Sequence, residues 1–245
     1  MKKNEFYNEL WKKEWKTLPK TGPSVRTRYR TILNLFKKYN LHGRIIDVGC
    51  GDGTLLSLLP KNSDNELYGF DISNEVIEHA KKRGSISKLF VGDLTKSETL
   101  PKEKFDVVIC SDVLEHIRDH RCAVRNISKI VKKRGELVIS VPHSMKYWTK
   151  HDDFSGHYTR FERPEFEKEL EMNGFRIIES FTWGFPIYAI YYFFLKKVNP
   201  PKVMSESKSS FKRLISNILY QLFRIDDLFR TNRGRKLFIL AMKFE

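Results

Sequence analysis

The chain has 245 residues, 40% of them hydrophobic and 31% charged, which is long enough for one sizeable α/β domain with additions and too apolar for a disordered chain. Its 45 Lys and Arg against 30 Asp and Glu give a net charge of +15, and that excess is uneven. Residues 1–44 carry 12 basic and 3 acidic side chains, residues 184–245 carry 12 and 4, and residues 45–183 carry 21 and 23. A neutral-to-acidic core therefore lies between two basic flanks. Cys50, Cys110 and Cys122 are odd in number and lack metal-ligand spacing, which speaks against a disulfide framework or a CxxC zinc site and for a reducing, cytoplasmic compartment. No apolar stretch follows the first charges, as a secretory signal requires, and nowhere do about 18 consecutive apolar residues occur. The nearest approach, Phe185 to Leu195, has the length of a buried or interfacial segment.

In chain order, helical periodicity appears over residues 4–16, with Trp11 and Trp15 four apart, and over 24–39, with Val25, Tyr29, Ile32, Leu33 and Phe36 on one side. From Arg44 onward, strand-like runs (Ile45–Val48, Leu67–Ile72, Leu89–Val91, Phe105–Cys110, Glu136–Val141) alternate with helical stretches, including Asn74–Arg83 and Arg121–Lys133. That alternation predicts an α/β, doubly wound, mostly parallel sheet. A helix over 164–173 starts at Pro164 and stops before Gly174. Strand Phe175–Trp183 and the final run Lys236–Phe244 are expected to pair as antiparallel neighbours, with residues 184–234 inserted between them. Within that insertion Phe211, Leu214, Ile215, Ile218, Leu219, Leu222, Phe223, Ile225, Leu228 and Phe229 form one apolar helical stripe. The expected organisation is an N-terminal helical extension (1–44), a core (45–183), an apolar and basic helical insertion (184–234) and a last core strand (235–245).

The chemistry is expected at the carboxyl ends of the first strands. Ile45-Ile46-Asp47-Val48 runs into Gly49-Cys50-Gly51-Asp52-Gly53, a turn whose glycines permit positive φ and close approach to a ligand at the start of a helix. The spacing is GxGxG, not the GxGxxG of dinucleotide binders. Asp71 ends the second strand and can accept both hydroxyl protons of a ribose. Asp93 follows the third strand, positioned for an exocyclic amine. Each acid alone is also a common turn residue; together they line one crevice.

These segments, Ile45–Gly53, Gly69–Ser73, Val91–Leu94, Phe105–Ile117, Gly135–His143 and Tyr158–Ile178, resemble the class I S-adenosylmethionine-dependent methyltransferases of the small-molecule type. The resemblance implies a Rossmann-like seven-stranded sheet with an antiparallel last strand. It implies that Asp47 and the Gly49, Cys50 and Gly51 backbone hold the methionine end, Asp71 with Ile72 the ribose, and Asp93 with Leu94 the adenine. Ser111 would contribute backbone near the methyl group.

Methyl transfer is an in-line displacement that needs an acceptor heteroatom held about 3 Å from the methyl carbon. A base is needed only if the acceptor must lose a proton, and His116 and His143 are the candidates. His151, Asp152, Asp153 and His157 follow no metal template and read as a solvated polar loop, so no metal site is assigned. Ser111-Asp112-Val113-Leu114 stands where enzymes that methylate nucleobase amino groups carry [Asn/Asp]-Pro-Pro-[Tyr/Phe], and no Pro-Cys pair exists to attack a pyrimidine; both weaken a nucleic-acid substrate. The expected function is methyl transfer to an O or N acceptor of a small or lipid-linked molecule. The alternatives are an RNA methyltransferase, motivated by the +15 charge, and a non-catalytic cofactor-binding adaptor. The insertion is either a cover packed on the core and substrate pocket or a peripheral contact with an anionic membrane, and the linker 199–210 reads as mobile, consistent with a gate.

Overall fold

A computed structural model describes residues 22–60, 64–82, 86, 88–195, 210–229 and 231–244. The expected helix at 4–16, with Trp11 and Trp15, and nearly all of the linker 199–210 lie outside them. Seven strands, β1 (Arg44–Val48), β2 (Glu66–Asp71), β3 (Lys88–Val91), β4 (Phe105–Ser111), β5 (Val131–Pro142), β6 (Phe175–Trp183) and β7 (Lys236–Lys243), form one sheet in the order β3-β2-β1-β4-β5-β7-β6. The pairs β1/β2, β1/β4, β2/β3 and β4/β5 are parallel, whereas β7 runs antiparallel to both β5 and β6. The expected mostly parallel sheet with an antiparallel last strand is therefore present. Strand order reverses between β1 and β4, which opens a crevice at their carboxyl ends.

Helices cover both faces. On one side α1 (Pro23–Tyr39) and α2 (Thr54–Leu58) pack Ile32, Leu35, Phe36, Leu55 and Leu56 against Ile45, Val107, Ile109 and Val138. On the other, α4 (His120–Ile130) and α6 (Arg163–Met172) pack Ala123, Val124, Ile127, Phe166 and Leu170 against Ile46, Val48, Val108 and Cys110. Residues 45–48 are buried without alternation, as a central parallel strand requires. The shorter α3 (Asn74–Lys81) starts at Ser73, whose side chain accepts from Val76 N.

Two expectations are corrected. The helix expected through Lys133 ends at Ile130, and β5 begins at Val131, opposite Phe105, before a register shift. Arg134 takes φ 64°, and at Gly135 an added Cβ would lie 2.8 Å from Asp106 O; this irregularity leads into the run Glu136–Val141 that alternation had marked. The single stripe expected over 211–229 is broken. Helix α8 (Ser210–Leu222) ends where the fully buried Phe223 plugs into Trp183, Tyr188 and Tyr191, and a short 3-10 turn, Ile225–Leu228, follows. Most of the stripe does not cover the core: Leu214, Ile215, Ile218, Leu222, Ile225, Leu228 and Phe229 are exposed.

Preceding it, α7 (Ile187–Leu195) exposes Ile190, Phe193 and Phe194 while burying Tyr192. The buried carboxylate of Asp226 accepts from Ile187 N (2.7 Å) and Tyr188 N (2.8 Å), tying the 3-10 turn to the start of α7. A final short helix, α5 (Lys150–Phe154), follows β5.

Candidate active site

The glycine turn is built by close packing. Gly49 N (2.7 Å) and Cys50 N (3.1 Å) both donate to Phe70 O, which lashes the turn to β2. Gly49 has φ 82°, and a Cβ there would lie 2.2 Å from Val113 Cγ2. Gly51 (φ 53°) is the opposite case: a Cβ would meet nothing within 4 Å, so its backbone borders open space at the sheet edge. Asp71 Oδ2 accepts from Gly51 N (3.0 Å) and Oδ1 from Ser73 N (2.9 Å), so this carboxylate orders the turn before any ligand arrives. Burial raises its pKa, opposed by the amides of Ser73, Gly51 and Ile72.

Asp47 is buried and, among the described residues, has no cation in direct contact. Burial pushes its carboxyl up to about 7 against the pull of Arg28, with Asp71 adding to the rise. A buried acid facing an open turn suits a cationic ligand group, and the ammonium of a methionine end has that charge. Asp93 Oδ1 caps its own turn, accepting from Thr95 N (2.9 Å) and Oγ1 (2.8 Å). Leu94 is buried, and its carbonyl accepts from Asn126 Nδ2 at 2.8 Å. Ile72 follows Asp71 directly at the sheet edge. Ser111 is buried at the end of β4, 2.9 Å from the hydroxyl of Ser140. The residues expected to hold a cofactor thus share the carboxyl edge of β1 to β4, and the open turn beside an uncompensated acid fits S-adenosylmethionine.

The histidines differ. His143 Nδ1 lies 2.8 Å from Gly234 O, which places a proton on Nδ1, and burial lowers its pKa. His116 sits in a 3-10 turn, Leu114–His116, and its ring meets that of His157 edge-on with centroids 4.6 Å apart. Glu115 is buried beside them; burial raises its pKa to about 7, with Asp112 adding to the rise.

The solvated polar loop expected at 151–157 is corrected in part: His151 and Asp153 are exposed, but residues 150–154 are helical and Asp152 and His157 turn inward. Asp152 is completely buried: it forms a capping box with Thr149 and accepts from Arg160 Nε (2.9 Å) and Nη2 (3.0 Å). It also holds His157 Nδ1 at 2.8 Å. Arg160 Nη2 donates in turn to Tyr192 Oη (2.6 Å) from α7.

Sequence reading missed a second cluster altogether. Asp112, at φ 55° just past β4, pairs with Arg28 from α1 and Lys236 from β7. Burial would raise the Asp112 pKa, but Arg28 and Lys236 outweigh it and hold the carboxyl below its ordinary value. Three residues so distant in the chain leave no local spacing to detect. The positive φ was the only local oddity, and it is invisible without a backbone.

A family of sequences described as "Methyltransferase domain" matches residues 24–180. The chain therefore belongs to that methyltransferase domain family, and its fold and glycine turn are those of a class I S-adenosylmethionine-dependent enzyme. The match begins inside α1. Among curated relatives, juvenile hormone acid O-methyltransferase of Bombyx mori is 33% identical over 174 residues, 60% of this chain and 61% of that protein. Ubiquinone biosynthesis O-methyltransferase of Coxiella burnetii is 28% identical over 143 residues, 55% of this chain and 58% of that protein. The chain thus spans less than two thirds of the length of these relatives. The solved structure of magnesium protoporphyrin IX methyltransferase from Synechocystis PCC 6803 with bound SAH has a TM-score of 0.62 at 15% identity, covering 98% of this chain and 97% of that one. At that identity the likeness shows the fold.

Proposed function

We propose that this protein transfers a methyl group from S-adenosylmethionine to an oxygen of a small amphipathic or lipid-linked acceptor, working at an anionic membrane surface. The curated relatives above that are named for a reaction are O-methyltransferases, which favours oxygen over nitrogen. When bound, the donor would supply an electrophilic methyl group on a sulfonium; the chain's task is to hold an acceptor oxygen in line with it. Asp47 and the Gly51 backbone seat one end of the donor, Asp71 anchors the middle, and Asp93 with Leu94 borders the other end. The partly buried pair Arg28–Asp112 and the buried pair Arg160–Asp152 hold the crevice walls in one arrangement. His143, whose Nδ1 is held by Gly234 O, is assigned as the base, with Nε2 the atom that would take a proton from the acceptor.

The observation that carries the membrane reading is the exposed apolar face of α8 together with Ile190, Phe193 and Phe194 of α7. Arg213, Arg224 and Arg233 stand exposed in the same insertion, and among its described residues 210–229 and 231–234 the acids Asp226 and Asp227 are buried or half-buried. Apolar side chains flanked by arginines match an anionic lipid interface, where each basic residue adds about 1 kcal/mol. In liposome flotation the protein should rise with vesicles containing phosphatidylserine, and high salt should weaken this. The double substitution Leu214→Asp, Ile218→Asp should abolish it. If the intact protein stays at the bottom of the gradient with every vesicle, the membrane reading fails and the acceptor is a soluble metabolite.

A further inference from the structure

We propose that Glu115, His116 and His157 bind a divalent first-row transition-metal ion beside the methyl-transfer crevice. One ligand atom from each residue comes together with the other two within 4.8 Å, close enough for a single ion to draw all three into its coordination shell. Glu115 and His116 project from the turn that directly follows β4, and His157 arrives from the loop after α5. Tyr158 N donates to Glu115 O at 2.7 Å, which fastens the two loops to each other next to the cluster.

Two independent features point to a ligand. Glu115 is 1% exposed, and its Oε2 has no hydrogen-bond partner among the described residues. A carboxylate oxygen withdrawn from water and left without a donor is costly unless something positive completes it. The other feature is the support behind His157. Its Nδ1 is held by Asp152 at 2.8 Å, and Asp152 is itself fixed by two bonds from Arg160 and by the Thr149 capping box. Nδ1 is thereby the protonated nitrogen, and Nε2 keeps its lone pair. Carboxylate–imidazole pairs of this kind orient metal-bound histidines, fix the tautomer and raise ligand basicity.

The donor set indicates the class of ion. Two imidazoles and one carboxylate suit zinc, manganese, iron or cobalt, whereas magnesium and calcium prefer all-oxygen shells. Three protein ligands leave at least one position open. That position can take the acceptor oxygen and ease loss of its proton, a use that rests on the methyl-transfer reading above. His116 is then a ligand, and not the base it was expected to be.

The test uses the full chain, stripped with a chelator and titrated with Co2+ as a visible probe. Expected is one ion per chain with d–d absorption in the visible range, displaced by Zn2+. His157→Ala and Glu115→Gln should each abolish the spectrum, and Asp152→Asn should weaken Co2+ binding by about 10- to 100-fold. Calorimetric binding of S-adenosylmethionine and far-ultraviolet circular dichroism, both retained in His157→Ala, show that the fold and the donor site survive. The proposal is overturned if the chain binds S-adenosylmethionine but takes up neither Co2+ nor Zn2+, or if uptake survives both His157→Ala and Glu115→Gln. Metal uptake without any binding of S-adenosylmethionine leaves the metal site standing and overturns the methyl-transfer reading.

Discussion

Arg28 and Asp112, 84 positions apart, form a partly buried ion pair that joins the first described helix to the carboxyl end of the central strand β4. Lys236 meets the same carboxylate from β7. Removing one partner of such a group leaves a half-buried carboxylate with one cation in place of two. Arg28→Met is expected to lower stability by about 1–3 kcal/mol, read from urea unfolding midpoints. Lys236→Met should act in the same direction, and the double variant should fall short of the sum because both act on Asp112. Full additivity would show that Asp112 is not the shared partner.

The two glycines of the turn should separate structure from binding. Gly49→Ala forces a methyl group against Val113 and is expected to prevent normal folding; Gly49→Ala combined with Val113→Ala should recover part of the loss. Gly51→Ala meets no neighbour and carries only the cost of positive φ, about 1–2 kcal/mol. It should fold, yet bind S-adenosylmethionine poorly by calorimetry because its methyl intrudes on the open side of the turn. Equal behaviour of the two variants would contradict the packing described for them.

Asp71→Ala should weaken S-adenosylmethionine binding by about 1–3 kcal/mol, the range for removing a charged partner from buried hydroxyl donors. Unchanged affinity in a folded variant would mean that the ribose is held elsewhere.

Asp47 predicts a pH dependence of definite sign. Its pKa rises from the ordinary 3.8 to about 7 on folding, so between those values the folded chain holds a proton that the unfolded chain has lost. This group's contribution to stability is therefore least unfavourable below pH 4 and worsens as pH climbs toward 7, by up to about 4 kcal/mol at 1.36 kcal/mol per pKa unit. Asp47→Asn should raise the ligand-free unfolding midpoint more at pH 8 than at pH 5. At pH 6, binding of S-adenosylmethionine should release a proton in the wild type and none in Asp47→Asn, measured by calorimetry in buffers of different ionisation heat.

The insertion offers a contrast between anchor and free surface. Phe223, fully buried among Trp183, Tyr188 and Tyr191, should cost about 3–5 kcal/mol as Phe223→Ala. Leu214, at 56% exposure, should change stability by no more than about 0.5 kcal/mol as Leu214→Ala. A large loss at Leu214 would show that the helix packs more tightly than its exposure indicates.

What was legible in the sequence follows from how locally each feature is encoded. Alternating strand and helix patterns, the run Ile45–Gly53 and Asp71 at a strand end are short-range signals, and the sheet and turn appear where they predict. The ion cluster at Asp112 was not legible, because residues 28, 112 and 236 become neighbours only through the strand order. The same holds for His157 beside His116: read along the chain, His157 belongs to a polar stretch, and only folding turns it toward Glu115. The stripe of residues 211–229 was visible as periodicity, but periodicity states that one side is apolar without naming what covers it. Most of that side turned out to face outward, with Phe223 buried in the core and Leu219 packed against it.

The strand order β5-β7-β6 has a consequence for how the chain reaches this state. Strand β6 pairs only with β7, so it is translated some 50 residues before the partner that gives it a place in the sheet. Until β7 inserts, β5 and β6 both present open backbone edges, the kind of surface on which chains pair with one another. Synthesis halted before Lys236 would leave those edges permanently open, so premature termination should yield aggregates instead of a shortened but soluble domain. Strand β7 behaves as a keystone whose arrival closes the arch.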